Sequence, residues 1–200
     1  MKRDKLFVTL EKHGIEPKWF ETREAAAAYL VEEIKGQKVA FGGSVTLEQM
    51  SLYEKLKEEN EVFWHWKNPD GAARRQAELD ATVYISSANG VSETGEIINI
   101  DGNGNRVANM LYGQDWVIFV VGENKVEETL EKAMWRARNV AAPLNARRLK
   151  KKTPCALGEE CRCFDCSAPD RVCRVATITM EKPSPMKRME FILVGESLGY

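Results

Sequence analysis

The sequence predicts an α/β fold: a mostly parallel open sheet flanked by helices, with a cysteine-rich loop segment towards the C-terminal end. Three observations carry this. Short apolar runs alternate with segments of helical periodicity, the order that a parallel sheet with crossover helices requires. One run, Trp116-Val117-Ile118-Phe119-Val120-Val121, is apolar throughout, as a central strand covered on both faces must be. All five cysteines fall between Cys155 and Cys173, in a stretch with too little apolar content for a strand or a core helix.

The elements follow in order. Residues 2–13 place Leu6, Phe7 and Leu10 at helical spacing. Thr22 is suited to cap a helix running through Ala25–Ala28 to Ile34, with Gly36 as its stop. Val39-Ala40-Phe41 reads as a short buried strand that ends in Gly42-Gly43-Ser44. A helix over 46–58, a strand at Val62-Phe63-Trp64, a helix opened by Asn68-Pro69-Asp70 and running through Leu79, and a strand at Thr82–Ile85 come next. Residues 96–107 read as a hairpin, because Asp101-Gly102-Asn103-Gly104 is rich in turn residues. The strand at Trp116–Val121 precedes a long helix over about 125–140, which Pro143 breaks or bends. Val175–Met180 and Phe191–Val194 are two further strands, separated by Pro183-Ser184-Pro185.

Two hundred residues suit one domain over 1–200, with 153–174 as a cysteine-rich insertion within it. The chain is 44% hydrophobic and 30% charged with a net charge of −1, so no global field favours nucleic acid or an acidic membrane surface. Five tryptophans then read more simply as core or interface than as a base-stacking surface. The N-terminal stretch lacks the apolar core of a secretory signal, and no run approaches the ~20 apolar residues of a spanning helix. A cytoplasmic protein is expected, without nucleic-acid or membrane partners; a homo-oligomeric state is left open. In that compartment clustered thiols read as metal-binding or redox-active before they read as disulfides.

The cysteines are spaced C-x5-C-x-C-x2-C-x6-C. Cys163 and Cys166 form a chelating pair, and Cys155 and Cys173 flank it to complete a four-sulfur set suited to zinc or an iron–sulfur cluster. A disulfide or redox pair, and reduced thiols that only pack, are the competing readings. Asp165, Asp170 and Arg171 suit turns and caps better than ligation. In the Gly42-Gly43-Ser44 turn, backbone N–H groups at a strand end can meet an anion, with Ser44 or Thr46 adding a hydroxyl; the alternative is a plain capped turn. Glu93, in Glu93-Thr94-Gly95, is a carboxylate suited to general base or nucleophile, or to a solvated loop. Asn89 can position a ligand through its amide. Arg106, with Asn105, suits a carboxylate or phosphate, unless Asp101 pairs with it. Lys125, at the start of the predicted long helix, is a second anion contact. The basic run Arg147, Arg148, Lys150, Lys151 and Lys152 is a solvated helix end or an anion patch. The two histidines, His13 at a helix end and His65 in a predicted strand, are poorly placed for catalysis.

Several stretches together resemble the lactate-utilisation (LUD) domain family. They are Ala88–Gly95, Asn99–Val107, Gly122–Lys125, Ala141–Arg147 and Thr153-Pro154-Cys155, with the Gly42–Leu47 turn and the closing Leu193–Gly199. The resemblance implies a fold like that of ribose-phosphate isomerases, coenzyme A transferases and formyl-tetrahydrofolate cyclo-ligases. It implies organic-acid, in some bacteria lactate, metabolism alongside iron–sulfur partner proteins. It makes Cys161 an extra beside the other four cysteines. It supports a ligand role for the turn of Gly42, Gly43, Ser44 and Thr46; Asn89, Thr94, Gly95, Arg106 and Lys125 are further candidate ligand contacts. The ferredoxin-like region of the long iron–sulfur relatives does not occur in these 200 residues. The sequence thus supports a protein that binds a small anionic metabolite and carries a cysteine metal or iron–sulfur site. The alternatives are a transferase- or isomerase-type enzyme using Glu93, whose coenzyme A transferase analogues use a glutamate covalently, and a non-catalytic subunit that docks iron–sulfur lactate-oxidation proteins.

Overall fold

A computed structural model describes residues 2–67 and 71–200. The first half contains α1 (Lys2–Lys12), β1 (Glu16–Phe20), α2 (Arg23–Glu33), β2 (Lys38–Phe41), α3 (Val45–Gln49), α4 (Leu52–Leu56), β3 (Glu61–Trp64), α5 (Gly71–Asp80) and β4 (Val83–Ser86). The second half contains β5 (Gly90–Ser92), β6 (Ile97–Asp101), α6 (Asn105–Leu111), β7 (Trp116–Gly122), β8 (Val126–Glu127), α7 (Leu130–Arg136), α8 (Ala142–Arg148), α9 (Pro154–Leu157), β9 (Val175–Thr179) and β10 (Arg188–Val194). Six strands form a wholly parallel sheet in the order β1-β10-β7-β4-β2-β3. A second sheet, β8-β5-β6-β9, is mostly antiparallel. The expected α/β class with a mostly parallel sheet is what the chain adopts.

Strand alternation divides the core between the two faces. Ile118 and Val120 of β7, with Phe41 and Ile85, pack under Ala27 and Leu30 of α2 and Leu47 and Leu52 of α3 and α4. Val117, Phe119 and Val121 point the other way, against Leu6 and Leu10 of α1, Met110 of α6, and Val91 and Ile97 of the second sheet. The second sheet therefore serves as a lid on one face of the first. Thr22 caps α2 as expected, its hydroxyl accepting from the Ala25 amide at 3.2 Å.

Several elements differ from the sequence reading. The helix over 46–58 is two short helices, because Ser51 takes a left-handed conformation at φ 51° between them. Glu16–Phe20 is a strand the periodicity did not reveal. It lies at the sheet edge, where Glu16 is exposed, the other four residues are half-buried, and Pro17 withholds no ladder bond from a second neighbour. The hairpin over 96–107 does not form. Asn105-Arg106-Val107 opens α6, and β6 pairs instead with β5 and β9. Asp101 explains the turn: its carboxylate accepts from the Asn103 amide at 3.1 Å and the Val107 amide at 3.2 Å, starting a helix rather than a return strand. The long helix begins at Leu130, not 125, and runs past Pro143 to Arg148 through a π-helical turn at Ala137–Ala141. The widened turn absorbs the missing proline N–H that would otherwise end the helix. His65 follows β3 rather than lying in it. The expected helix start at Asn68-Pro69-Asp70 falls outside the described residues. Among the described residues no helix is long and apolar enough to cross a membrane.

Candidate functional site

The carboxyl ends of adjacent strands in an open parallel sheet leave a crevice, because the chain turns away from the sheet at each end. Here β7, β4, β2 and β3 open onto a cleft of about 540 Å³. Its floor comes from the turns after those strands: Gly43, Ser44 and Thr46 after β2, His65 and Trp66 after β3, Ser87 to Asn89 after β4, and Lys125 after β7. Its walls come from Asp101 to Asn103, from Asn145 and Arg148 of α8, and from residues 169–174 of the cysteine segment.

Lys125 lies at the base of the floor. It ends a single 3₁₀ turn between β7 and β8, rather than opening the long helix, and is only 3% exposed. Its Nζ donates to Thr46 Oγ1 at 2.8 Å and to Ser87 Oγ at 3.0 Å. Burial, then the charges of Arg136 and Arg106, hold its ammonium well below the usual lysine range. Among the described residues no carboxylate lies within ion-pairing reach of it.

Arg106 reaches the floor from the first turn of α6. Its terminal nitrogens donate to Asn99 Oδ1 at 2.7 Å, Ile100 O at 2.8 Å, Asn89 Oδ1 at 3.0 Å and Ser87 O at 3.1 Å. All four terminal N–H groups are spent on neutral acceptors, so Arg106 fixes the floor and contributes charge rather than a free fork for a ligand. Asp101, expected as its ion partner, is occupied by the amides at the start of α6. Burial lowers the Arg106 pKa, and the charge of Asp101 opposes this.

The double glycine has a packing cause. A Cβ on Gly42 would lie 2.5 Å from Ser86 Oγ and 2.9 Å from Arg106 Cγ, and one on Gly43 would lie 3.1 Å from Trp66 Nε1. The Gly42 amide donates to Ile85 O at 2.9 Å within the sheet. Ser44 Oγ accepts from the Leu47 amide at 3.3 Å, as an N-cap does. Gly42 is behind the lining, and Gly43, Ser44 and Thr46 are in it. Asn89 is also in it, its Oδ1 shared between Arg106 and the Ile100 amide at 2.8 Å.

Glu93, Thr94 and Gly95 are not part of the cleft. The length of β5 separates them from Asn89, about 13 Å at ~3.3 Å per residue. Gly95, at φ +96°, sits against Thr9 and His13 at the end of α1. Thr94 Oγ1 donates to Glu96 Oε2 at 2.6 Å and the Glu93 amide to Glu127 O at 2.8 Å, so this loop is tied to the second sheet.

Arginines dominate the rim. Arg148 stacks over Trp66 at 4.5 Å, and Trp64 backs the same ring at 5.0 Å, so Trp66 fixes Arg148 rather than offering a free face. Lys151, Arg171 and Arg174 complete the cationic lining. Among the described residues, six basic side chains and two carboxylates line the cleft. Of the two, Asp170 already accepts from the Lys152 amide at 2.8 Å and lies 3.5 Å from Lys151 Nζ.

A second, much smaller cavity of about 20 Å³ adjoins the cleft. Cys155, Cys163, Cys166 and Cys173 all line it, and Cys161 does not. Five free thiols are present, all half-buried. Arg171 donates to Cys173 Sγ at 3.4 Å, and Arg138 lies 4.0 Å from Cys163 Sγ and 2.6 Å from Asp165 Oδ1. Charge on Cys163 raises the Arg138 pKa, and the hydrogen bond to Cys173 raises that of Arg171. Among the described residues no three His, Cys, Asp or Glu side chains are arranged to hold an ion. The donor chemistry and the shared cavity fit a thiolate-bound metal, while the sulfurs as placed do not converge on one. Arg171 and Val172 line both cavities, so the cysteine segment forms one wall of the cleft.

Ser87, Trp66, Asn145 and Arg174 were not singled out in the sequence. Ser87 had a usable signal, since it follows a buried strand just as Gly42 does. Trp66 and Arg174 had none, because loop packing alone brings them to the cleft.

These features define an α/β protein with a basic cleft at the strand ends and a thiol cluster in its wall. The chain belongs to the LUD domain family, whose model matches residues 4–194. A DUF162 family protein from Deinococcus radiodurans shares the fold, with 16% identity, a TM-score of 0.59, and coverage of 97% of this chain and 96% of that one. Ribose 5-phosphate isomerase A from Neisseria gonorrhoeae is a more distant likeness, at 16% identity, 54% coverage of each chain and a TM-score of 0.37, and supports no argument. No curated protein matches the chain.

Proposed function

We propose that this is a lactate-utilisation-type protein whose cleft binds a small anionic metabolite. The supporting observation is the charge of the lining: five cations (Arg106, Arg148, Lys151, Arg171 and Arg174) against two occupied carboxylates, in a chain whose net charge is only −1. Such local concentration of one sign focuses the field and draws small anions. A volume of about 540 Å³ suits a ligand of metabolite size. Arg106 supplies charge at the floor, beside the Lys125 amine; Arg148, Lys151, Arg171 and Arg174 supply donors at the rim. Family membership supports a place in organic-acid utilisation.

The same reading assigns Cys155, Cys163, Cys166 and Cys173 to a zinc ion or an iron–sulfur cluster. When bound, zinc would brace the cleft wall, and a cluster would add one-electron transfer. The common cavity that excludes Cys161 supports this set.

Titration calorimetry with glycolate and inorganic phosphate at low ionic strength tests the cleft. Saturable binding that Arg148→Ala weakens is expected. Metal analysis and visible absorbance of anaerobically purified protein test the cysteines, and colourless, metal-free protein with an intact fold would remove that assignment.

A further inference from the structure

We propose that Lys125 is an amine nucleophile that forms a reversible imine with the carbonyl carbon of an anionic carbonyl compound in the cleft, a 2-oxo acid or a phosphorylated aldehyde or ketone. This rests on the anion-binding reading and names the class of anion.

Donor counting at Lys125 supports the neutral amine. Thr46 Oγ1 donates its own proton to Leu198 O at 3.3 Å, and Ser87 Oγ donates to Thr46 Oγ1 at 3.3 Å. Both hydroxyls are therefore left as acceptors towards Lys125, at 2.8 and 3.0 Å. Two N–H donors meet two acceptors, and an amine keeps a lone pair. An ammonium would carry a third N–H for which the described residues provide no acceptor. The charges acting on Nζ favour the same form, since those of Arg136 and Arg106 both oppose an ammonium there. Burial and these like charges depress its pKa, the usual route to a nucleophilic lysine. Lys125 also lines the cleft, so the amine is within reach of a ligand held by the rim cations.

The step needs no external oxidant or reductant. The Nζ lone pair attacks the carbonyl carbon, forming the C–N bond and opening the C=O π bond. Proton transfer from nitrogen to oxygen gives a carbinolamine. Loss of water, with both former amine protons on the departing oxygen, leaves C=N. Hydrolysis reverses the sequence. Ser87 and Thr46, already in contact with Nζ, are placed to relay these protons. An anionic group on the substrate is needed because the floor and rim are cationic.

The test is reductive trapping. The full chain is incubated with glyoxylate, pyruvate or glyceraldehyde 3-phosphate, reduced with cyanoborohydride, and mapped by peptide mass spectrometry. In parallel, glycolate and phosphate, which carry no aldehyde or ketone, are titrated calorimetrically. The expected result is a saturable adduct on Lys125 that phosphate or glycolate competes away, against a weak, non-competable background on surface lysines. An unlabelled Lys125 in protein that binds glycolate or phosphate would overturn the imine and leave the anion reading standing. Failure of both anions to bind, with no adduct, would overturn the anion reading itself. Mapping is done on the unmodified sequence, so the result does not depend on a variant folding; Lys125→Met, which removes the amine, should lose the adduct.

Discussion

Lys125 Nζ donates to Thr46 Oγ1 at 2.8 Å, tying the turn after β7 to the turn after β2 across the end of β4. Gly199 closes over this pair: a Cβ there would lie 2.5 Å from Thr46 Oγ1 and 3.1 Å from Lys125 Nζ. The site is thus built on a buried amine, at a cost in stability.

That cost gives the first prediction. The folded-state pKa of Lys125 is lowered, so between that value and the unfolded value of 10.5 the unfolded chain binds more protons. The penalty is present in full below the folded pKa and is relieved as pH rises towards 10.5. Lys125→Met should therefore stabilise the protein at neutral pH by about 1 kcal/mol and flatten the rise of stability with pH. Urea denaturation of both proteins at neutral and at alkaline pH reads both effects.

Arg106 should behave oppositely. Replacing it with leucine leaves Ser87 O, Ile100 O and the Asn89 and Asn99 side-chain oxygens short of donors. A loss of about 3 kcal/mol is expected. Arg106→Lys should recover only part of it, because a point charge cannot serve four separated acceptors. Equilibrium unfolding of the two variants distinguishes the cases.

Gly42→Ala should destabilise by about 1–3 kcal/mol, since the new methyl meets Ser86 Oγ and the Arg106 stem at under 3 Å. Gly36→Ala is the useful contrast. Nothing lies within 4 Å of its Cβ, and its φ of +64° alone is strained, so its cost should be the smaller. Thermal unfolding ranks the two.

Cys163→Ser and Cys166→Ser should each abolish metal or cluster content, whereas Cys161→Ser should retain it, as measured by elemental analysis. Because Arg171 and Val172 line both cavities, removing the metal with a chelator should also weaken glycolate binding several-fold. Unchanged binding after complete chelation would separate the two sites.

The strands buried on both faces were legible because a continuous apolar run has few other uses; β2, β4 and β7 were all found this way. The edge strand β1 was not, because one-sided burial leaves Glu16, Pro17 and Lys18 among its five residues. The π-turn before Pro143 was hidden for a similar reason, since proline reads as a stop unless the backbone widens. Of the candidate ligand residues, Gly43 and Thr46, chosen by strand-end position, line the cleft, as do Asn89 and Lys125, chosen for their side-chain chemistry. Strand-end position misplaced Glu93 because β5, three residues long, carries the chain out of the cleft before that residue. The basic run was ambiguous in sequence; folding brings Arg148 and Lys151 to the cleft and leaves Lys152 holding Asp170 through its amide.

Titration of glycolate into the intact protein and into Arg148→Ala, at low and raised salt, tests the anion cleft most directly. Saturable one-to-one binding, weakened by the substitution and by salt, is the result the cleft geometry predicts. No binding to the intact protein, or binding indifferent to Arg148, would contradict it.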